Sequence, residues 1–390
     1  MDDDEYDEYK FIYGDGEIRS TKYCYTRLNW EDHLVSCRRK PNGFQKRYHM
    51  DEVTFASLVE LLNIKVNVGR SMACTNGNQP ILPHIIVACG LRYLGGEHYK
   101  SLVDVFGMSE TSVQTTVDKF IEAVLKCKKM AITLPSTIEE LNQTTNDFVA
   151  KSDAGETFHG CVGCIDGWLC CIQLPRDAPN QADFFSGHYK LYGLNVQAVC
   201  DSKLRFIYVS IVGAGCTNDS KAFSCCAKLK EWLQCIPKEF YLIGDSAYPL
   251  SHNLLIPFCQ TALQTFGGEY KRMFNFYLSQ IRINIEMAFG RLTNMWRIFH
   301  QDLQTSLPRT NDIVMCCARL HNFVIESGCE LRVLDDVVDF WPTFLENQMN
   351  GITMQQNGYL STVNNHHNNI LNIIEVDRIT CPIYNVQQNG

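Results

Sequence analysis

Hydrophobic and polar residues are spaced differently in successive parts of the chain. From Met50 the spacing is helical: Phe55, Leu58, Val59 and Leu62 follow Asp51 at intervals of three and four, and a second apolar helix is expected over about 81–94, ending at Gly95-Gly96. Leu102, Val103 and Phe106 then form a short face. Gly107 supplies a turn, Ser109 can cap the next helix, and Val113, Val117, Phe120, Ile121 and Val124 form that helix's apolar face. A short helix, a glycine turn and a longer helix match a helix-turn-helix. Any two packed helices match it equally, and the exposed side of the second is rich in Thr and Gln and short of the cations that phosphates require. Ser136 and Glu139 have capping-box spacing, which predicts a helix over about 137–150.

Near residue 156 the pattern becomes strand-like. "CVGCIDGWLCCIQLP" reads as a central strand, and "LYGLNVQAVC" and "LRFIYVSIVG" as strands joined through "DSK". "GCTNDSKAF" opens a helix expected to reach about Gln234, and "KEFYLIGD" is a further strand. "SQIRINIEMAFGRLTNMWRIF" is a helix with Ile281, Ile285, Ala288, Phe289 and Leu292 on one face, and "TNDIVMCCARLHNFVIES" is the last strong helix. Three strands, a helix, a strand and helices predict an α/β fold, a mixed sheet flanked by helices and preceded by an all-helical region. The expected division is a poorly ordered arm over 1–48, the helical region over 49–155, the sheet domain over 156–329, and an Asn- and Gln-rich tail over 330–390.

Composition changes this picture in three places. The net charge of −8 argues against a nucleic-acid binder until its distribution is seen. Residues 1–17 hold eight acids and one Lys, residues 18–49 hold eight Lys or Arg against two acids, and residues 268–310 hold six against three. The acidic tip reads as a solvated start, or as a tail that screens a basic surface when DNA is absent. No apolar stretch follows a basic start and no apolar run is long enough to span a bilayer, so neither a secretory signal nor a membrane partner is expected. The 19 cysteines are then expected to be mostly buried, reduced thiols. Cys161 and Cys164 have zinc spacing without a second ligand pair, so no zinc is expected there.

Four acids stand in places that call for explanation. Asp166 lies in mid-strand, where an unpaired carboxylate is expensive. Asp219 lies in "TNDS" at a strand-to-helix junction, Asp245 ends the strand in "YLIGDSAYP", and Glu286 sits among apolar helix residues. Each has a bland reading: Asp219 and Asp245 as helix caps, Glu286 as the partner of Arg282 one turn earlier. Brought together, they would repel one another. Divalent cations remove that conflict, and oxygen ligands suit Mg²⁺ or Mn²⁺, two of which ~4 Å apart serve phosphodiester chemistry.

With "GCIDGWLC", "GLNVQAVCDSKLRFIYVSIVGAGCTNDSKAF", "YLIGDSAYPL" and "RLHNF" in this order, the chain resembles the PIF/Harbinger superfamily of DDE transposases and their nuclease relatives. The resemblance runs from about "FQKRYHMDEVTFASL" to "CCARLHNF". It implies an RNase H-like fold, a catalytic triad of Asp166, Asp245 and Glu286 with Asp219 as a supporting ligand, and Mg²⁺ or Mn²⁺ as cofactor. It also implies DNA at mobile-element ends as substrate and a separate Myb-like protein as the sequence reader. Trp168 departs from the Thr more usual in the family. Arg282, Arg291 and Arg297, read as sharing a helix near Glu286, and Lys190 are candidate phosphate contacts, or surface charges. A homodimer and a nuclear location are expected. The rival expectation is a non-cutting DNA- or chromatin-binding adaptor on the same fold.

Overall fold

The computed structural model describes residues 26–65, 80–151, 155–174 and 180–329. The acidic tip and the Asn- and Gln-rich tail lie outside the described residues. In chain order the helices are α1 Trp30–Arg38, α2 Gly43–Tyr48, α3 Glu52–Leu62, α4 Pro83–Leu94, α5 Tyr99–Phe106, α6 Glu110–Lys126 and α7 Ile138–Val149. The chain continues with β1 Cys161–Cys171, β2 Phe185–Ser186, β3 Leu191–Cys200, β4 Phe206–Ala214, α8 Asp219–Cys225, α9 Ala227–Cys235, β5 Tyr241–Ile243, β6 Leu254–Leu255, α10 Gln260–Leu263, α11 Gly268–Met295 and α12 Leu307–Glu326. Among the described residues no helix is long and apolar enough to cross a membrane.

The expected irregular arm gives way over 30–48 to α1 and α2. Asn29 caps α1 by accepting from the N–H groups of Glu31 and Asp32, and the rings of Trp30, Phe44, Tyr48 and Phe55 pack together. Asp51 and Ser109 cap α3 and α6 as expected, whereas the capping box sits one residue later, at Thr137 and Glu140. Gly107 adopts φ +58°, and a Cβ there would lie 1.8 Å from the Thr26 carbonyl oxygen, so only glycine makes this turn between α5 and α6. The buried face of α6 packs against α4, where Gly90 makes room for the Phe120 ring. Its solvent side carries Glu110, Asp118 and Glu122 against Lys119 and Lys126, which offers phosphates no net positive charge.

The sheet runs β4-β3-β1-β5-β6, with β2 paired to β3. β1, β3 and β4 are antiparallel neighbours, whereas β5 lies parallel to β1 and β6 parallel to β5. This mixed α/β sheet, preceded by helices, is the expected fold class. The helix expected from 219 to 234 breaks at Cys226 into α8 and α9, and α11 begins about three turns earlier than its periodicity suggested.

Each face of the sheet is buried. Cys164, Cys170, Val196, Ala198 and Cys200 meet Ile281, Ile285 and Ala288 of α11, in a core continuous with that of the N-terminal helices. Burial of one such side chain as Ile285 contributes about 1.5–3 kcal/mol. On the other face Val162, Ile165, Val199 and Leu242 meet Phe223, Leu229 and Leu233. Small thiols under α11 let its backbone come close, and Cys164 Sγ donates to the Ile281 carbonyl at 3.2 Å. Cys161 is likewise buried, its thiol directed at the Gly163 carbonyl.

The "RLHNF" stretch in α12 ties the layers together. Arg319 donates to the Val124 and Leu125 carbonyls at the end of α6, at 3.2 and 2.6 Å. The fully buried His321 contacts the Leu204 carbonyl through Nε2 at 2.8 Å. Asn322 accepts from the Phe206 N–H and donates to its carbonyl, at 2.8 and 2.7 Å, closing the open edge of β4. Asn322→Leu keeps the volume and orphans both groups, so it is expected to cost about 2–4 kcal/mol in urea unfolding with an unchanged m-value. A loss below ~0.5 kcal/mol would show that the edge needs no clamp.

Candidate active site

The register of β1 and β5 brings two of the acids together. Cys164 pairs with Ile243, and two residues further along these parallel neighbours stand Asp166 and Asp245. No helix follows Asp245: its Oδ1 accepts from the Ala247 N–H at 2.9 Å in an Asx turn, and the next element is β6. Tyr248, fixed by that turn, donates its hydroxyl to Gln197 Oε1 at 2.7 Å.

Asp219 is not the cap of α8. Asn218 holds that position and accepts from the Lys221 N–H at 2.9 Å, leaving the Asp219 carboxylate free to point at the sheet. There Oδ1 receives Gln197 Nε2 at 3.0 Å and Asn195 Nδ2 at 3.5 Å. A Cβ on Gly167 would lie 2.1 Å from the same oxygen. Glycine beside Asp166 is thus the condition for Asp219 to reach the strand.

Glu286 is linked to Asp166 through one guanidinium. Arg282 donates to Asp166 Oδ2 at 3.4 Å and to Glu286 Oε1 at 2.6 Å. The expected ion pair of Glu286 with Arg282, one turn earlier, is present, and the same guanidinium reaches Asp166. Burial pushes the Asp166 carboxyl up to about 7; the Gly167 N–H and Arg282 oppose that shift, and the charges of Asp245 and Asp219 add to it. The Gln197 and Asn195 amide oxygens are taken up by Tyr248 and by Gln197, so the oxygens on offer are those of the carboxylates, which suit a hard divalent cation. Among the described residues, however, no three His, Cys, Asp or Glu side chains lie close enough together to hold a metal ion. The positive charge between Asp166 and Glu286 is that of Arg282.

The other basic candidates lie elsewhere. Arg291 is nine residues beyond Arg282, which at 3.6 residues per turn is the opposite face of α11. It is half-buried beside His321 and Cys329, and its Nε has no partner. Arg297 lies past the end of α11, against Gly96 and His49 of the helical region. Lys190 is exposed at the tip of the β2–β3 hairpin, with φ +57°. Arg282 and Arg291 share α11 with Glu286 but on opposite faces, and Arg297 lies beyond the helix, so Arg282 alone reaches Glu286. Asn195 and Gln197, which hold Asp219, and Tyr189, whose phenol is pushed up by burial and by the charges of Asp166 and Asp219, were not anticipated. The polar pair in "GLNVQAV" was the available signal.

Residues 165–322, from the residue before Asp166 to Asn322, match the model of the DDE superfamily endonucleases. The match spans 158 of the 390 residues. Among curated relatives, "Protein ALP1-like" of Arabidopsis thaliana is 25% identical over 331 residues, covering 79% of this chain and 77% of its own. "Putative nuclease HARBI1" of Homo sapiens and of Rattus norvegicus are each 25% identical over 280 residues, covering 70% of this chain and 75% of their own. No solved structure is significantly similar to the chain. The matched stretch contains Asp166, Asp219, Asp245 and Glu286, together with the clamp residues Arg319, His321 and Asn322.

The raised pKa of Asp166 has a measurable sign. Between its ordinary value of 3.8 and about 7 the folded protein binds a proton that the unfolded chain has lost. Stability therefore falls as pH rises through this window, and the loss is complete above about 7. In chelator, Asp166→Asn is expected to melt a few degrees above wild type at pH 8, with the gap narrowing steadily toward pH 5. Calorimetry showing a gap independent of pH, or of opposite sign, would contradict the burial of a costly charge at this position.

Proposed function

We propose that the chain is a divalent-cation-dependent DNA endonuclease of transposase descent, acting at mobile-element ends by in-line displacement at phosphodiesters. The observation that carries this reading is Asp166: a largely buried mid-strand carboxylate with Asp245 just beyond the end of the neighbouring strand, Asp219 over Gly167, and Glu286 reached through Arg282. In this reading Asp166, Asp245 and Glu286 would hold Mg²⁺ or Mn²⁺, with Asp219 in support. The cation, when bound, supplies the positive charge that in-line phosphodiester displacement requires.

The chain's own residues prepare that step. Tyr248 orients Gln197, and Gln197 with Asn195 fixes the Asp219 carboxylate. The Asx turn at Ala247 sets the direction of Asp245. Arg282 holds Asp166 and Glu286 toward one another and is the cation placed to meet a phosphate oxygen there. The charge-balanced face of α6 agrees with sequence recognition by a separate Myb-like partner. A nuclear location and a homodimer, which would cut paired ends, belong to the same proposal.

A second reading, a non-cutting DNA- or chromatin-binding adaptor, has one observation in its favour: Arg282 already neutralises Asp166 and Glu286. Cleavage of terminal inverted-repeat DNA with Mg²⁺ or Mn²⁺ and the Myb-like partner separates the two. Asp245→Asn is expected to lower the cleavage rate by several powers of ten, on the order of ~4 kcal/mol, with DNA affinity nearly unchanged. If wild type and variant bind DNA alike and both are inert, the adaptor reading holds; if Asp245→Asn cuts as wild type does, Asp245 only makes a turn.

A further inference from the structure

Large apolar side chains exposed to solvent are concentrated in one place. Of the ten found among the described residues, four fall within the eight residues 185–192: Phe185 at 39% exposure, Tyr189 at 55%, Leu191 at 46% and Tyr192 at 41%. Three of the four are aromatic. Phe185 and Tyr192 pair across the β2–β3 hairpin with ring centroids 5.3 Å apart, edge to face, and His188 stands edge-on to Tyr189 at 4.7 Å.

The hairpin is held in shape without these rings. The buried Ser186 accepts from the Lys190 N–H through its carbonyl at 2.7 Å and from the Tyr189 N–H through Oγ at 3.4 Å. The base of the hairpin is tied to the chain beyond β4, where the Cys216 N–H donates to the Asp183 carbonyl at 2.9 Å. The hairpin also leads into the candidate active site, since its second strand, β3, runs on from Leu191 to Asn195 and Gln197, whose amides hold the Asp219 carboxylate.

Exposed rings on a rigid hairpin, interleaved with a lysine and bordering phosphodiester-cleaving acids, have a recognisable complement. Every base offers an aromatic face, and a protein ring can reach it only where the base has left the duplex stack. A second protein copy fits less well, because a few half-exposed side chains fall short of the roughly 800 Å² per partner of a stable interface. We propose that the β2–β3 hairpin is a stacking platform for unpaired nucleotides of the DNA strand that flanks the scissile phosphate. Phe185, Tyr189 and Tyr192 present the rings and Lys190 meets the neighbouring phosphate. This inference rests on the nuclease reading and adds to it a preference for locally unpaired DNA at the site.

The test uses the full chain in chelator, so that no cleavage intervenes. Two fluorescent probes of the same sequence are compared, one fully paired and one with a short bulge containing 2-aminopurine. Wild type is expected to bind the bulged probe about tenfold tighter and to change its 2-aminopurine emission. Tyr189→Leu combined with Tyr192→Leu is expected to abolish both effects, leaving affinity for the paired probe and the melting temperature within error of wild type. Tyr189→Trp should retain the preference, because it keeps a ring. Equal binding of both probes by wild type, or a preference that survives the double substitution, overturns the platform alone. A double variant that dissociates in sedimentation where wild type is a dimer assigns the hairpin to self-association and also overturns it. Failure of wild type to bind either probe overturns the platform, whereas the nuclease reading stands or falls separately on the cleavage assay with the cation and the Myb-like partner.

Discussion

The structure is organised around a carboxylate in an expensive place. Asp166 stands in the middle of the central strand, mostly buried under α11, with one backbone N–H and the long 3.4 Å contact to Arg282 as its compensation. Charge buried with so little support is lost from a protein unless something other than stability retains it. Its surroundings add to the cost, because Asp245 and Asp219 face the same spot. Glycine at 167 admits Asp219, the turn at Asp245 fixes a second carboxylate, and Arg282 offsets one of the negative charges.

The scaffold keeps this site in register by tying the layers at few points. Arg319, His321 and Asn322, adjacent on α12, reach the end of α6, the β3–β4 turn and the edge of β4 respectively. Full burial pushes the His321 imidazole down to about 4 although the Leu204 carbonyl favours the charged form, so it stays uncharged across the physiological range. The N-terminal helices share their core with α11 and α12, which gives them a structural role independent of any contact with DNA.

Much of this was legible in the sequence, and the gaps have physical causes. Asp166 and Glu286 stood out because a charge in an apolar run is costly, and the succession of strands and helices followed from where the hydrophobic period changed, whereas the order of the strands across the sheet was not read. Asn195 and Gln197 did not stand out, because polar residues alternating along a strand look like a solvent face; here they face a carboxylate. The start of α11 was hidden by Gly267-Gly268 and by dense aromatics that blur a period of 3.6. Nearness along the chain was taken for nearness in space at Arg291 and Arg297, although helical geometry places the first on the far face of α11 and the helix ends before the second. The hairpin at 185–192 carried no periodicity to read, because strand β2 has only two residues.

The central claim is that Asp166 is retained to hold a divalent cation. Calorimetric titration of Mn²⁺ into the metal-free full chain tests it most directly, comparing wild type with Asp166→Asn. The account predicts binding by wild type that weakens at least about tenfold in the variant, because a charged oxygen ligand is lost. Equal Mn²⁺ affinity in the two proteins, or no binding by wild type, would contradict it.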